Sequence, residues 1–300
     1  MTSDRSVAHF IGFYLFYGLS RPLLLLPLQV LFMFSELLFM LAWYFPGYRK
    51  KMVLRNLHNA FPEKDHPEIK KIARGFYRHM CDSIIETFYA LTMSRKEMER
   101  RVVWKNAGLL EQYYQQGRSV ISVFGHYGNW EWLFSLPLYT RHRVIALYRP
   151  LSNIYFNRFM KKLRQKFGIQ AVTATRSYPE ILKFHNEKIP TISLFLGDQR
   201  PAGGNIRCWT RFLNQDTPVM LGSEHIARRL GHAVVFLSMR KVKRGYYEVE
   251  IIPVTEEPVS TGLYEITERH TRLLEEQIRK KPEYWLWSHN RWKNQKVAGS

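Results

Sequence analysis

Residues 119–132 read SVISVFGHYGNWEW: a β-branched, apolar run ends at Gly125, His126 follows at once, and Glu131 stands five positions further on. An imidazole at a strand end is a candidate general base, because it exchanges its proton near neutral pH. If the Glu131 carboxylate folds back onto one ring nitrogen, the other nitrogen is left facing a cleft. Gly125 and Gly128 let backbone amides approach a ligand closely, as stabilising an oxyanion requires. The same residues also read as a buried polar pair at a tight turn, and spacing alone does not choose between the two. Metal binding is not expected: HExxH is absent, and a His with a Glu at i+5 shares no helix face.

The elements that must position this pair alternate along the chain. Residues 119–125, 143–149, 170–174 and 190–199 are short apolar runs that read as strands. Residues 130–139, 153–168, 177–188 and 217–231 read as helices, the second and last ended by Gly168 and Gly231. Residues 233–243 and 246–254 form an antiparallel pair around Gly245, and a last helix covers 260–282, capped by Ser260 and stopped at Pro282. Earlier, Ile69, Ile72, Phe76, Met80, Ile84 and Phe88 recur at helical spacing over 67–93. The pattern predicts an α/β fold with a mixed, largely parallel central sheet flanked by helices. Ligands of such sheets sit beyond the carboxyl ends of strands, and His126, Arg149 and Asp198 all fall there. No internal repeat or low-complexity tract interrupts the pattern.

Lys and Arg number 45 against 25 Asp and Glu, a formal charge of +20 over 300 residues. Such a charge calls for an acidic partner: nucleic acid, anionic lipid or an acidic protein. No helix-turn-helix, zinc spacing or RNP pattern is present, so nucleic acid is not expected. Residues 22–45 are almost wholly apolar, and a shorter aromatic stretch, 9–19, precedes them. Residues 22–45 form one span with Pro27 near its start, or the two stretches are helices lying in one leaflet, or 22–45 is simply a buried helix of a soluble fold. Arg49, Lys50, Lys51 and Arg55 follow directly, which places the rest of the chain on the cytoplasmic side. Two domains are therefore expected, a membrane-associated helical segment at 1–46 and a single α/β domain at 47–300. Cys81 and Cys208 form no CxxC pair and read as small apolar fillers in a reducing compartment.

Several blocks together are more specific than any one motif. GHYGNWE resembles the first block of the lipid A secondary (late) acyltransferases, within the glycerolipid acyltransferase superfamily defined by His-x4-Asp/Glu. YRPLSNIYFNRFMKKLR (148–164) is similar to the second block, and FLGDQRPAGGNIRCWTRFLNQDTPVMLGSEHIARRLG (195–231) to the third and fourth. PEYWLWSHNRWK (282–293) is similar to the C-terminal signature, and NLHNAFPE also fits, so the resemblance covers nearly the whole chain. It implies a glycerol-3-phosphate acyltransferase-like fold at the cytoplasmic face of the bacterial inner membrane. It also implies transfer of a long acyl chain from an acyl carrier protein thioester, or acyl-CoA, to a hydroxyl of a lipid A precursor. Anionic inner-membrane lipids would be further partners. No cofactor and no acyl-enzyme are implied, and other lipid acceptors of the superfamily (aminolipids, phosphatidylinositol mannosides, lysophospholipids) stay open.

The resemblance also sets expectations for side chains. His126 is the general base and Glu131 its orienting partner. Arg149 contacts phosphate or oxyanion, or else is a surface arginine at a strand end. Asp198, Gln199 and Arg200 contact substrate, or else satisfy backbone groups in a sharp turn. Asn157 and Arg164 reach substrate or membrane phosphates, while Arg158, Lys161, Lys162 and Lys166 form a general basic face. Glu224 and His225 make structural hydrogen bonds. Trp285, Trp287 and Trp292 are core or interface aromatics, and His289 and Arg291 line the cleft.

Overall fold

The computed structural model describes residue 18 and residues 22–45, 48–201 and 206–294. Strand β2 (Val120–Phe124) is buried at every position, as an interior strand covered on both faces must be. Its alternate residues go to two cores: Val120 and Phe124 to one, Ile121 and Val123 to the other. Around it lie β1 (Val102–Trp104), β3 (Arg143–Tyr148), β4 (Gln170–Thr173), β5 (Thr191–Leu196), β8 (Ala233–Lys243) and β9 (Tyr246–Thr255). They form a seven-stranded sheet in the order β1-β9-β8-β2-β5-β3-β4. All neighbours are parallel except the β8/β9 hairpin. This is the expected mixed, largely parallel α/β sheet.

One feature of register matters for the site. Phe124 of β2 pairs with Leu196 of β5, and the same offset runs back to Val120 and Ile192. Parallel strands keep their offset past their ends, so residues two beyond each end arrive side by side. Those residues are His126 and Asp198.

Helix α1 (Leu28–Tyr44) lies against α3 (His66–Tyr89), with α2 (Lys50–Ala60) between them in the chain. A capping box from Asp65 and Glu68 starts α3 at the turn-rich break. On α1, Leu28, Leu31, Phe32, Phe39 and Trp43 are buried, and Ser35 donates to Asp82 Oδ1 at 2.7 Å. Met33, Leu37, Leu41 and Tyr44 face outward, Met33 at 71% exposure. The spanning alternative has no counterpart among the described residues: none of their helices is long and apolar enough to cross a membrane. Pro27 delays α1 to Leu28, and its 17 residues carry Glu36 near the middle. The stretch 9–19, apart from Gly18, lies outside the described residues.

Four local expectations are corrected. Residues 130–138 form a 3-10 helix with Pro137 inside it, not an α-helix. Thr217 and Pro218 belong to β7 (Gln215–Pro218), which forms a hairpin with β6 (Trp209–Phe212), so α8 begins only at Gly222 and runs to Leu230. The last helix, α9 (Glu265–Lys280), starts later than Ser260, whose hydroxyl instead donates to Glu257 O in a short 3-10 turn. Finally, α4 (Arg95–Arg101) and α5 (Gly108–Gln115) flank β1 where no element was expected. The remaining helices, α6 (Ile154–Gln165) and α7 (Ser177–Asn186), lie where expected.

Candidate active site

His126 and Asp198 meet as the strand register requires. His126 Nδ1 lies 2.7 Å from Asp198 Oδ1, and its backbone N–H donates to Oδ2, also at 2.7 Å. Trp285 Nε1–H donates to the same Oδ2 at 2.8 Å. Burial alone would raise the Asp198 carboxyl, but the His126 charge and these hydrogen bonds outweigh it and hold it down to about 2. An ionised acceptor beside Nδ1 fixes the proton there and leaves Nε2 with a lone pair. That lone pair meets the Gln199 side-chain nitrogen at 3.1 Å, and the ring stands edge-on to Trp130 with centroids 5.1 Å apart.

Glu131 does not hold His126, which corrects the sequence expectation. It sits on the 3-10 helix, and both its oxygens go to Arg164 on α6, at 2.8 and 3.2 Å. The parallel neighbour strand takes Nδ1 before a carboxylate five residues along the chain can turn back to it. Arg164 is thereby engaged as well, through Nε and Nη2. Gly128 is corrected too: φ is +60°, but its amide donates to Tyr284 O at 2.9 Å and is not free for an oxyanion. Gly125 has a packing reason. A Cβ there would lie 2.6 Å from Leu274 Cδ1 and 3.2 Å from Asp198 Oδ2, so glycine lets the carboxylate come close.

The other expected residues divide. Arg149 is exposed just past β3 and makes no hydrogen bond or ion pair among the described residues. Asn157 accepts from the Leu151 amide and so shapes the turn after β3 instead of facing a ligand. Arg200 donates to Asn294 at 3.3 Å. His289 lies close enough to His126, Asp198 and Arg200 to feel their charges. Arg291 is buried at 2% exposure rather than lining an open cleft. Lys166 is no part of a general basic face: its ammonium bonds Ala90, Leu91 and Met93 carbonyls past the end of α3. Glu224 accepts from the Thr267 amide, a structural bond as expected.

Two sets of contacts around the site were not read from the sequence. The C-terminal signature runs beside the His126 turn: Leu286 N–H donates to His126 O, and Tyr127 bridges to Trp285. Below the turn, α3 turns its polar stripe inward. Glu86, fully buried, accepts from Asn129 Nδ2 at 2.8 Å and Tyr247 OH at 2.7 Å, and its carbonyl accepts from Trp132 Nε1. Asp82 meets Ser35, Lys241 and Arg244. The i, i+3, i+7 spacing of His79, Asp82 and Glu86 was the available signal.

The apolar row of this helix divides: Ile69 and Phe76 are buried in the core, while its later turns reach a cleft. Met80, Ile84 and Phe88 border a cleft of about 510 Å³, with Trp130, Met160 and Leu286 among its other walls. Ile84 is 43% exposed. Glu131 also borders the cleft, and Trp130 separates it from His126. A largely apolar volume of this size suits a long, flexible, apolar ligand.

Several buried histidines make the fold acid-sensitive. Burial lowers His79 to about 3 and His232 and His270 to about 4. Their folded values lie below the unfolded imidazole's, about 6.5. Each therefore stabilises fully above that pH and less as pH falls toward the folded value, by up to about 2 kcal/mol between pH 6.5 and 5 for a fully buried ring. Glu86, raised to about 7 by burial, acts the other way: its contribution is present below about 4.5 and lost as pH rises through 7. Three histidines outweigh one glutamate. Urea denaturation is expected to show lower stability at pH 5 than at pH 7; equal or greater stability at pH 5 would contradict this.

A family model described as bacterial lipid A biosynthesis acyltransferase matches residues 2–294 of the chain. No individual curated protein matches it.

Proposed function

The chain belongs to the bacterial lipid A biosynthesis acyltransferase family and is an acyltransferase, and from that premise we propose that His126 is the general base of acyl transfer to a lipid A precursor. The observation that carries this reading is the His126–Asp198 pair beside an apolar cleft. The acyl chain of a thioester lies along Met80, Ile84 and Phe88, with its carbonyl near Trp130. The acceptor hydroxyl displaces the Gln199 side chain from Nε2 and gives its proton to that nitrogen. Its oxygen attacks the thioester carbonyl carbon. The tetrahedral oxyanion then collapses, the carbon–sulfur bond breaks, and the leaving thiolate takes the proton back from His126. No acyl-enzyme forms. Asp198 holds the tautomer and stabilises the transient imidazolium. Glu131 and Arg164 brace the cleft wall, and exposed Arg149 is the candidate for a substrate phosphate.

The donor in this reading is acyl carrier protein thioester, an acidic partner that suits the +20 charge. The outward row of α1, ending at Tyr44 and Phe45 and followed by Arg49, Lys50 and Lys51, supports docking on the anionic inner-membrane surface from the cytoplasmic side. The test is direct. Purified protein is incubated with acyl carrier protein thioester and a lipid A precursor, and the lipid is weighed by mass spectrometry. Gain of one acyl group supports the reading. Acylation of another lipid only, or none, removes the acceptor or the activity.

The cleft makes a separate prediction. Met80→Trp places an indole where the chain would run, on a part-exposed helix face that tolerates it. The longest accepted acyl chain is expected to lose about tenfold in kcat/KM relative to one four carbons shorter. Competition between two thioesters measures the ratio; an unchanged ratio would place the chain elsewhere.

A further inference from the structure

Behind the catalytic pair lies a second, much smaller void, about 10 Å³ as available to the centre of a water molecule. Asp198, His270, Thr271 and Arg291 border it, and its other walls are mainly apolar, Phe124 and Leu274 among them. Arg291 donates from Nη2 to Pro218 O at 2.7 Å, but its Nε and Nη1 have no partner among the described residues. His270, at 4% exposure, likewise has an unpartnered Nε2. A buried guanidinium with two unmet donors is costly, and the apolar walls offer it nothing. The void accommodates one water and no more.

Lone-pair counting identifies what that water would bond. Asp198 Oδ2 already accepts twice and Oδ1 once, so Oδ1 keeps one site. The Thr271 hydroxyl hydrogen is committed to Thr267 O at 2.7 Å. A water can accept from Arg291 and donate to Asp198. A halide can accept from Arg291 but would stand against a carboxylate.

We propose that this void holds a resident water joining Arg291 to Asp198, and that Arg291 is thereby a positioning residue for the His126–Asp198 pair. The cation, one water away, holds the carboxylate turned toward Nδ1. The other titratable groups near Arg291 are His289, which feels its charge, and His270 on α9, which borders the same void. Asp198 is the anion among them. The positioning role rests on the catalytic reading of the pair; the water site does not.

The test has two arms. In a crystal structure fine enough to show waters, grown with bromide present, one water peak is expected within hydrogen-bond distance of both Arg291 and Asp198, and absent in Arg291→Met. An empty void, or an anomalous bromide peak there, overturns the water. In transfer assays on folded protein, Arg291→Met is expected to lower kcat about tenfold with KM within about twofold, and Arg291→Lys to recover most of it. Should Arg291→Met not fold, Arg291→Lys and the wild-type density decide. Unchanged kcat per folded molecule overturns the positioning role. If the wild-type protein transfers no acyl group, the catalytic reading fails, and the density arm still decides the site.

Discussion

His126→Ala is expected to lower acyl transfer by about 10³–10⁴-fold while the protein stays folded. The size follows from chemistry: a neutral hydroxyl is a poor nucleophile toward a thioester unless its proton leaves as the bond forms. Glu131 cannot readily take over as the base, because Arg164 holds both its oxygens. The fold should survive because the backbone N–H of residue 126 still donates to Asp198, as does Trp285. Stability should fall by about 1–2 kcal/mol, the usual range for one lost buried contact. Circular dichroism and a melting curve establish folding; mass spectrometry of the acceptor reads transfer. Wild-type transfer in a folded variant would sink the assignment of the base.

Asp198→Asn is expected to cost about 10³-fold, by a subtler route. The Oδ2 side of Asp198 faces two donors, the His126 amide and the Trp285 indole, while Oδ1 faces Nδ1. An asparagine has one oxygen, and two donors claim it. Its NH2 then points at Nδ1, which must become the acceptor. The ring proton moves to Nε2, and the base is lost with the geometry intact. Ring-nitrogen NMR of labelled histidine would show the switched tautomer. Glu131→Gln should lose far less, since it touches the cleft wall and not the base. If Glu131→Gln proved the worse variant, the orienting role would return to Glu131.

Which of these residues the sequence made visible depends on distance along the chain. β2, β3 and β5 were legible because β-branched runs bounded by glycine or a turn leave little else to form. His126, Arg149 and Asp198 were placed at strand ends for the same reason. The His126–Asp198 contact was not legible: it depends on β2 and β5 being neighbours, and strand order is a property of the whole sheet. Glu131 looked like the partner because it was nearby in sequence. The β6–β7 hairpin was hidden because its turn uses Leu213 and Asn214 at positive φ, without the glycine that usually marks such turns. On α3, periodicity marked one apolar row without dividing it: Ile69 and Phe76 pack in the core while Ile84 and Phe88 line the cleft, and both kinds of burial share the same spacing.

The register of β2 against β5 has a consequence for how this enzyme can change. His126 and Asp198 are joined by sheet hydrogen bonds, not by the chain between them. That intervening excursion, β3 through α7, can lengthen its exposed turns at only a logarithmic entropic cost and leave the base where it is. The same excursion carries Met160 and Arg164 to the cleft. On the reading proposed above, part of the cleft wall therefore sits on a piece of the polypeptide that can vary separately from the His126–Asp198 pair, so that the cleft can be reshaped without rebuilding the pair.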